Sequence, residues 1–229
     1  MLKPDLIIYL HGLGGSPQSA KGVLIASHFG PLGIATQQLR LSIPSLAELS
    51  PIEAIEHVAA QLREASPRSV ALVASSFGAY IGLHAMWRLA QEERAHVTRL
   101  VLLAPLINPW DSSSSLLTTE AEAEWARRKR FPVRDLESGE LVDVHYGLVE
   151  ELKSLGPAPV CPTIPALVVH GRRDAVVSPS QSEGFCKIHP TARLELLDED
   201  HSLLGDRPKL LGIIEEFLLG PRSVPAGGR

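Results

Sequence analysis

Residues 70–80 read VALVASSFGAY. A continuous apolar run, of the kind buried on both faces of a parallel sheet, ends on two serines. Ala74-Ser75-Ser76-Phe77-Gly78 fits small-x-Ser-x-Gly, the pattern that joins a strand to a helix through a sharp turn. Such a turn crowds the positions two before and two after the serine, so both must be small. Ala74 and Gly78 are small, which selects Ser76; centring on Ser75 would crowd Val73 and Phe77. The pattern puts the Ser76 hydroxyl at a strand's carboxyl end and a helix N-terminus, where partial positive charge favours a developing oxyanion. Gly82 and Ala85 continue a small face that lets the helix pack closely on the sheet. An ordinary helix-capping serine would look the same locally, so the rest of the chain must decide.

Similar apolar runs recur as LIIYL (6–10), LVLLA (100–104) and ALVVH (166–170), with weaker candidates at TQQLRLS (36–42) and RLELLD (193–198). Helical stretches lie between them. Ser16-Pro17 is expected to open the first, closed by Gly30-Pro31. Ser50 and Glu53 read as a capping box, with Ile52, Ile55, Val58, Ala59 and Leu62 as the apolar stripe behind it. Further helices are expected from Phe77 to about Glu92, after Ser178-Pro179, and over 208–219. Alternating strand and helix predicts an α/β fold with a mostly parallel sheet of about six strands and helices on both faces.

One stretch breaks the alternation. Residues 108–160 read as an insertion: a helix over Thr119–Arg130 capped by Thr119 and Glu122, a hairpin in 133–146 turning at Ser138-Gly139, and a short helix over 147–155 ended by Gly156-Pro157. Residues 1–219 are expected to form one domain with this insertion as a small cap, and 220–229 a disordered tail.

Bulk composition narrows the function. The chain has 229 residues, is 45% hydrophobic and carries a net charge of −4, which argues against a nucleic-acid partner. No apolar run approaches the ~20 residues that span a bilayer. Pro4 and Asp5 interrupt the N-terminus, which argues against a secretory signal and for a cytoplasmic protein. Cys161 and Cys186 are the only cysteines and are expected to be free thiols. No zinc motif is present, so no metal is expected.

The remaining strand ends carry chemistry. HGLGGS (11–16) follows the first strand. It lacks the last glycine of a dinucleotide loop, where Pro17 stands, and the GK[ST] of a phosphate loop. As an oxyanion loop it fits better: the Leu13 and Phe77 backbone N–H groups could hold the oxygen of a tetrahedral intermediate, each worth ~10²–10³ in rate. His11, beside Gly12, is expected to orient this loop. Asp174 lies four residues past the strand-ending His170, and His201 lies just beyond the last strand, near the rival carboxylates Asp198 and Asp200. Carboxyl ends of parallel strands share one sheet edge, so Ser76, Asp174 and His201 can converge there. His28, His57, His84 and His96 fall on or beside expected helices and read as surface or packing residues.

HGLGG, ASSFG, HGRRD and DEDHS, in this order over residues 6–201, resemble the α/β-hydrolase superfamily. HGLGGSPQSAKG (11–22), ASSFGAY and the ESGEL segment are similar, more narrowly, to small bacterial esterases of the YqiA type. Two departures stand out: Ala74 replaces the usual first glycine of the elbow, and the N-terminal strands of the larger fold are missing. The resemblance implies a serine esterase or thioesterase with Ser76 as nucleophile, His201 as base and Asp174 as its orienting acid, and no cofactor. A non-catalytic ligand-binding relative and an amidase or peptidase with the same residues are the alternatives. A haloalkane dehalogenase would need an acidic nucleophile at position 76.

The substrate would be a small acyl ester or thioester. Val176, Trp110 and Trp125 are candidates for its pocket, although Leu117, Ala121 and Trp125 also form a packing stripe. Arg127-Arg128-Lys129-Arg130 reads either as a solvated helix end complementing the dipole or as a clamp for an anionic substrate.

Overall fold

The structure is a computed structural model and describes residues 3–112, 118–160 and 164–220. Six parallel strands form the sheet: β1 (Leu6–Leu10), β2 (Ala35–Leu39), β3 (Val70–Ser75), β4 (Val97–Leu103), β7 (Ala166–Gly171) and β8 (Ala192–Leu197), ordered β2-β1-β3-β4-β7-β8. This is the α/β arrangement expected from the alternating runs. β1, β3 and β7 are buried along their whole length, which explains their unbroken apolar sequences. Side chains still alternate in direction: Ile8 and Leu10 enter one apolar layer, Ile7 and Tyr9 the other.

Helices α1 (Ala20–Phe29) and α8 (Arg207–Leu219) cover one face through Ile25, Phe29, Leu210 and Ile214. Helices α2 (Pro51–Ala65), α3 (Phe77–Arg88) and α7 (Pro179–Ile188) cover the other through Ile55, Leu62, Leu83 and Phe185. A short α4 (Gln91–Arg94) follows α3, where the sequence had suggested one continuous helix. Leu89 breaks α3 in extended conformation.

Two helix starts differ from expectation. α1 begins three residues after Pro17, capped by Ser19, whose hydroxyl accepts from Gly22 N–H; Ser16 is buried in the preceding loop. At α2 the Ser50 hydroxyl accepts from Glu53 N–H, but the reciprocal half of the box is missing: Ser50 N–H goes to Ile43 O. Glu151 instead takes the Ser50 hydroxyl at 2.8 Å and Ile52 N–H at 2.9 Å. A residue a hundred positions away thus supplies the acid at the helix N-terminus.

Between β4 and β7 lie α5 (Thr119–Arg128), the antiparallel hairpin β5 (Arg130–Arg134) and β6 (Leu141–His145), and α6 (Gly147–Leu155). Thr118, one residue earlier than expected, caps α5 by accepting from Ala121 N–H. Gly139, at φ +77°, makes the hairpin turn, and Gly156, at φ +71°, ends α6. Trp125 fixes α5 on the hairpin: its Nε1–H donates to Val144 O at 2.9 Å and its ring stacks on Phe131. Cys186 is a free thiol. Cys161, Leu117 and the tail 221–229 lie outside the described residues.

Candidate active site

β1 lies between β2 and β3, so the connections leaving β1 and β3 run to opposite faces and open a crevice at their carboxyl ends, where ligands bind in such sheets. Ser76 stands in this crevice. Its φ of +53° is in the left-handed region, an uncommon backbone for a residue with a Cβ, and marks the sharp bend read from the sequence. The crowding that demands Gly78 has a different source from the one expected. A Cβ there would meet the Leu10 carbonyl oxygen at 2.7 Å, and the His11 carbonyl as well; the β1 backbone is the obstacle. α3 passes close to β1 and β3: a Cβ at Gly82 would lie 2.9 Å from the Leu10 side chain and 3.9 Å from the Ala74 Cβ, so Gly82 lets the helix approach.

The histidine at 201 arrives from the β8 side. Gly171, the last residue of β7, has no room for a Cβ against the Glu199 and Asp200 carbonyls, so the loop after β8 can cross directly over it. Arg172 N–H and Arg173 N–H tie the two segments together by donating to Leu197 O and Glu199 O. His201 Nε2 then lies 3.0 Å from Ser76 Oγ, and Nδ1 lies 2.7 Å from Asp174 Oδ2. Of the three aspartates weighed from the sequence, Asp174 meets the ring. Asp198 pairs with Arg173, and Asp200 accepts from Ser202 N–H and Oγ–H.

Asp174 is held on every side. Its Oδ1 accepts from Val176 N–H and Val177 N–H at 2.8 and 2.9 Å. Its Oδ2 also receives His170 Nε2 at 3.0 Å. Burial alone would raise its pKa. The hydrogen bonds from His170, His201 and Val177 N–H outweigh that and hold the carboxyl well below the usual carboxylate range. His170 is fully buried, and both partners of its Nε2, Asp174 Oδ2 and Val177 O, are acceptors, so Nε2 carries the proton. Its Nδ1 then accepts from Ser182 Oγ–H at 2.6 Å. Sequence reading treated His170 only as a strand end; its position four residues before Asp174 was the available signal.

Gly12 and Leu13 close the crevice from the β1 side. A Cβ at Gly12 would touch that of Ser76 at 3.4 Å, so the loop runs directly against the serine. Neither the Leu13 nor the Phe77 backbone N–H has a hydrogen-bond partner among the described residues. His11 is buried and spans the loop: Leu41 N–H donates to its Nε2, which leaves Nδ1–H to donate to Gly12 O at 2.8 Å. Burial lowers its pKa, which suits a neutral, two-ended brace. Of the histidines on or beside helices, His28 meets Glu215, His96 meets Leu62 O, and His84 packs on Tyr80.

A cavity of about 480 Å³ opens over Ser76 and His201. Leu13, Leu136, Val176 and Leu204 give it apolar walls, and Lys21 and Arg173 bring charge to it. Val176 is thus at the cavity beside Ser76. Trp125 and Phe77 border a second, apolar cavity of about 30 Å³ on the other side of Leu13. Trp110 lines neither; its ring lies beneath Lys153. The basic run is also remote from the cavity: Arg127 and Arg128 pair with Glu124, Arg130 with Glu48, and Lys129 lies over Tyr146. Among the described residues no group of three or more His, Cys, Asp or Glu side chains is placed to hold a metal ion, and no helix is long and apolar enough to cross a membrane.

Residues 6–217 match the model of the family described as "Uncharacterised protein family (UPF0227)". The chain belongs to this family. No curated protein matches its sequence. Among solved structures it is similar to mouse alpha/beta hydrolase domain-containing protein 10, at 22% identity and a TM-score of 0.73, covering 95% of this chain and 91% of that one. It is similar to Est1E from Butyrivibrio proteoclasticus with bound ferulic acid, at 18% identity and a TM-score of 0.72, covering 95% and 89%. It is also similar to a monoacylglycerol lipase from Paleococcus ferrophilus, at 13% identity and a TM-score of 0.70, covering 94% and 95%. These likenesses show the fold: the protein has the α/β-hydrolase fold, with six strands in its main sheet.

Proposed function

We propose that the protein is a serine hydrolase that cleaves carboxylic esters or thioesters through an acyl-Ser76 intermediate. The observation that carries this reading is the unbroken chain Ser76 Oγ–His201 Nε2–His201 Nδ1–Asp174 Oδ2, at 3.0 and 2.7 Å, opening into a cavity. His201 takes the Ser76 proton as the hydroxyl attacks the carbonyl carbon. The Leu13 and Phe77 N–H groups, free of other partners among the described residues, receive the oxyanion. Asp174 holds the His201 ring in the tautomer that leaves Nε2 open to the serine proton, and its depressed pKa keeps it anionic throughout. His201 then protonates the leaving alcohol or thiol, and water activated by the same ring releases the acid. Residues 108–160 act as the cap, reaching the cavity through Leu136. The solved structures of similar fold include a monoacylglycerol lipase and an Est1E complex with ferulic acid, which supports acyl chemistry over a purely binding role.

A fluorophosphonate probe tests the reading, because it labels only an activated serine. Wild type is expected to label and to hydrolyse p-nitrophenyl esters. Ser76→Ala is expected to do neither, with turnover down by ~10⁴-fold or more and an unchanged melting temperature. Ester turnover retained by that variant removes Ser76 from the chemistry.

A further inference from the structure

We propose that Lys21 is the recognition point for a carboxylate on the substrate, so that the Ser76 cavity selects esters or thioesters carrying a negative charge near the scissile bond. The inference rests on the hydrolytic reading above and names its substrate class.

Lys21 lies in the first turn of α1 and lines the same cavity as Ser76 and His201. It is part-buried, and among the described residues it forms no ion pair. Its Nζ donates to one backbone acceptor, Ser202 O, at 3.0 Å. An ammonium has three donors, so one carbonyl leaves most of its capacity unused. Burial pushes its pKa down to about 8, and the attraction of Asp174 and Asp200 offsets only part of that. Both carboxylates already have closer partners: Asp174 the two imidazoles and two N–H groups, Asp200 the Ser202 N–H and hydroxyl.

The other charged and titratable groups at the cavity are also committed. Arg173 is anchored on Asp198 through its carboxylate at 3.1 Å and its carbonyl at 2.7 Å. His201 is held between Ser76 and Asp174, and the Tyr9 phenol, its pKa pushed up to about 12 by burial, receives the Ser19 hydroxyl. The apolar walls offer an anion nothing. A part-buried cation with no salt-bridge partner among the described residues, lining the same chamber as the nucleophile, is where a substrate carboxylate gains a charge-assisted hydrogen bond. A single ammonium matches one carboxylate better than a phosphate, which calls for several convergent donors.

The competing role is mechanical: Lys21 would only tie α1 to the loop bearing His201. The two roles separate by substrate. Hydrolysis of 4-acetoxybenzoate against methyl 4-acetoxybenzoate places the charge on the leaving group; monoethyl against diethyl adipate places it on the acyl side. Wild type is expected to favour the anion by roughly tenfold or more in kcat/KM in one arm, which identifies the side. Lys21→Met is expected to erase that preference and Lys21→Arg to retain part of it. The preference should be full below about pH 8, where Lys21 is charged, and fade above it as the ammonium loses its proton. No preference in either arm, or an equal loss on both members of a pair in Lys21→Met, overturns the proposal.

Calorimetric binding of 4-acetoxybenzoate and of monoethyl adipate to Ser76→Ala reads the site without turnover. At least one is expected to bind roughly tenfold tighter than its neutral partner, and the difference to vanish when Lys21→Met is added. Equal binding of anion and neutral ester in both pairs overturns the proposal even if the hydrolytic reading holds. Discrimination in binding with no hydrolysis by wild type sustains the site and overturns only the chemistry.

Discussion

The sheet rim and the segment from 119 to 155 hold their charged groups in opposite ways. At the rim, Asp174 is buried and fully hydrogen-bonded, His201 is clamped between two partners, and Lys21 is part-buried with no salt bridge among the described residues. Along α5 the charges are many, exposed and mutually paired: Arg127 and Arg128 share Glu124, and Lys153 reaches Glu122. The denser cluster could be read from the sequence as a solvated helix end or as an anion clamp, and none of it lines the cavity. A solvated ion pair contributes little and commits both partners. A part-buried charge without a salt bridge keeps interaction energy for whatever enters. Lack of a partner therefore marks a recognition point better than density does.

The contrast can be pressed hardest at the buried acid. Asp174→Asn should keep the fold but lower kcat by ~10⁴-fold, because an amide no longer fixes the His201 tautomer. A loss of less than tenfold would mean that the rim does not depend on its buried carboxylate. Next comes the backbone beneath it. Gly78→Ala drives a methyl into the Leu10 and His11 carbonyls and should destabilise the protein by roughly 3 kcal/mol or more in denaturant unfolding. An unchanged midpoint would show that the elbow has slack. The smallest effect belongs to the exposed run. Reversing Arg127 and Arg128 to Glu should leave the ratio of kcat/KM for an acyl-CoA to that for a neutral ester unchanged, and a selective rise in KM for the CoA thioester would restore these arginines as a clamp.

Much of this was legible because parallel-sheet strands advertise themselves. Five-residue runs such as LIIYL and ALVVH have no polar face, and the residues after them fall on one edge by topology alone. Ser76, Asp174 and His201 could be placed at that edge from chain order and strand ends. What escaped depends on contacts between distant segments. Glu151 substituting for Glu53 at the α2 N-terminus, the β1 carbonyls that require Gly78, and Lys21 reaching Ser202 each join residues 68 to 181 positions apart. No local pattern encodes them. The α1 start was misread for a nearer reason: Ser16-Pro17 looks like a cap, but Ser16 is buried in the loop after β1 and Ser19 caps the helix.

Four donors converge on the two oxygens of Asp174, two from backbone N–H groups and two from imidazole rings. Hydrogen bonds to a charged group are worth roughly 1.5–3 kcal/mol each, so the turn over 174–177 cannot shift without breaking several at once. Across the chamber, Leu136 projects from a hairpin turn that is itself tied down: the Leu136 N–H donates to Gly14 O at 2.7 Å, in the loop that follows β1. Both sides of the chamber are thus fastened to loops at the sheet edge. A guest that pushes the hairpin outward has to pull on the same loop that presents Leu13.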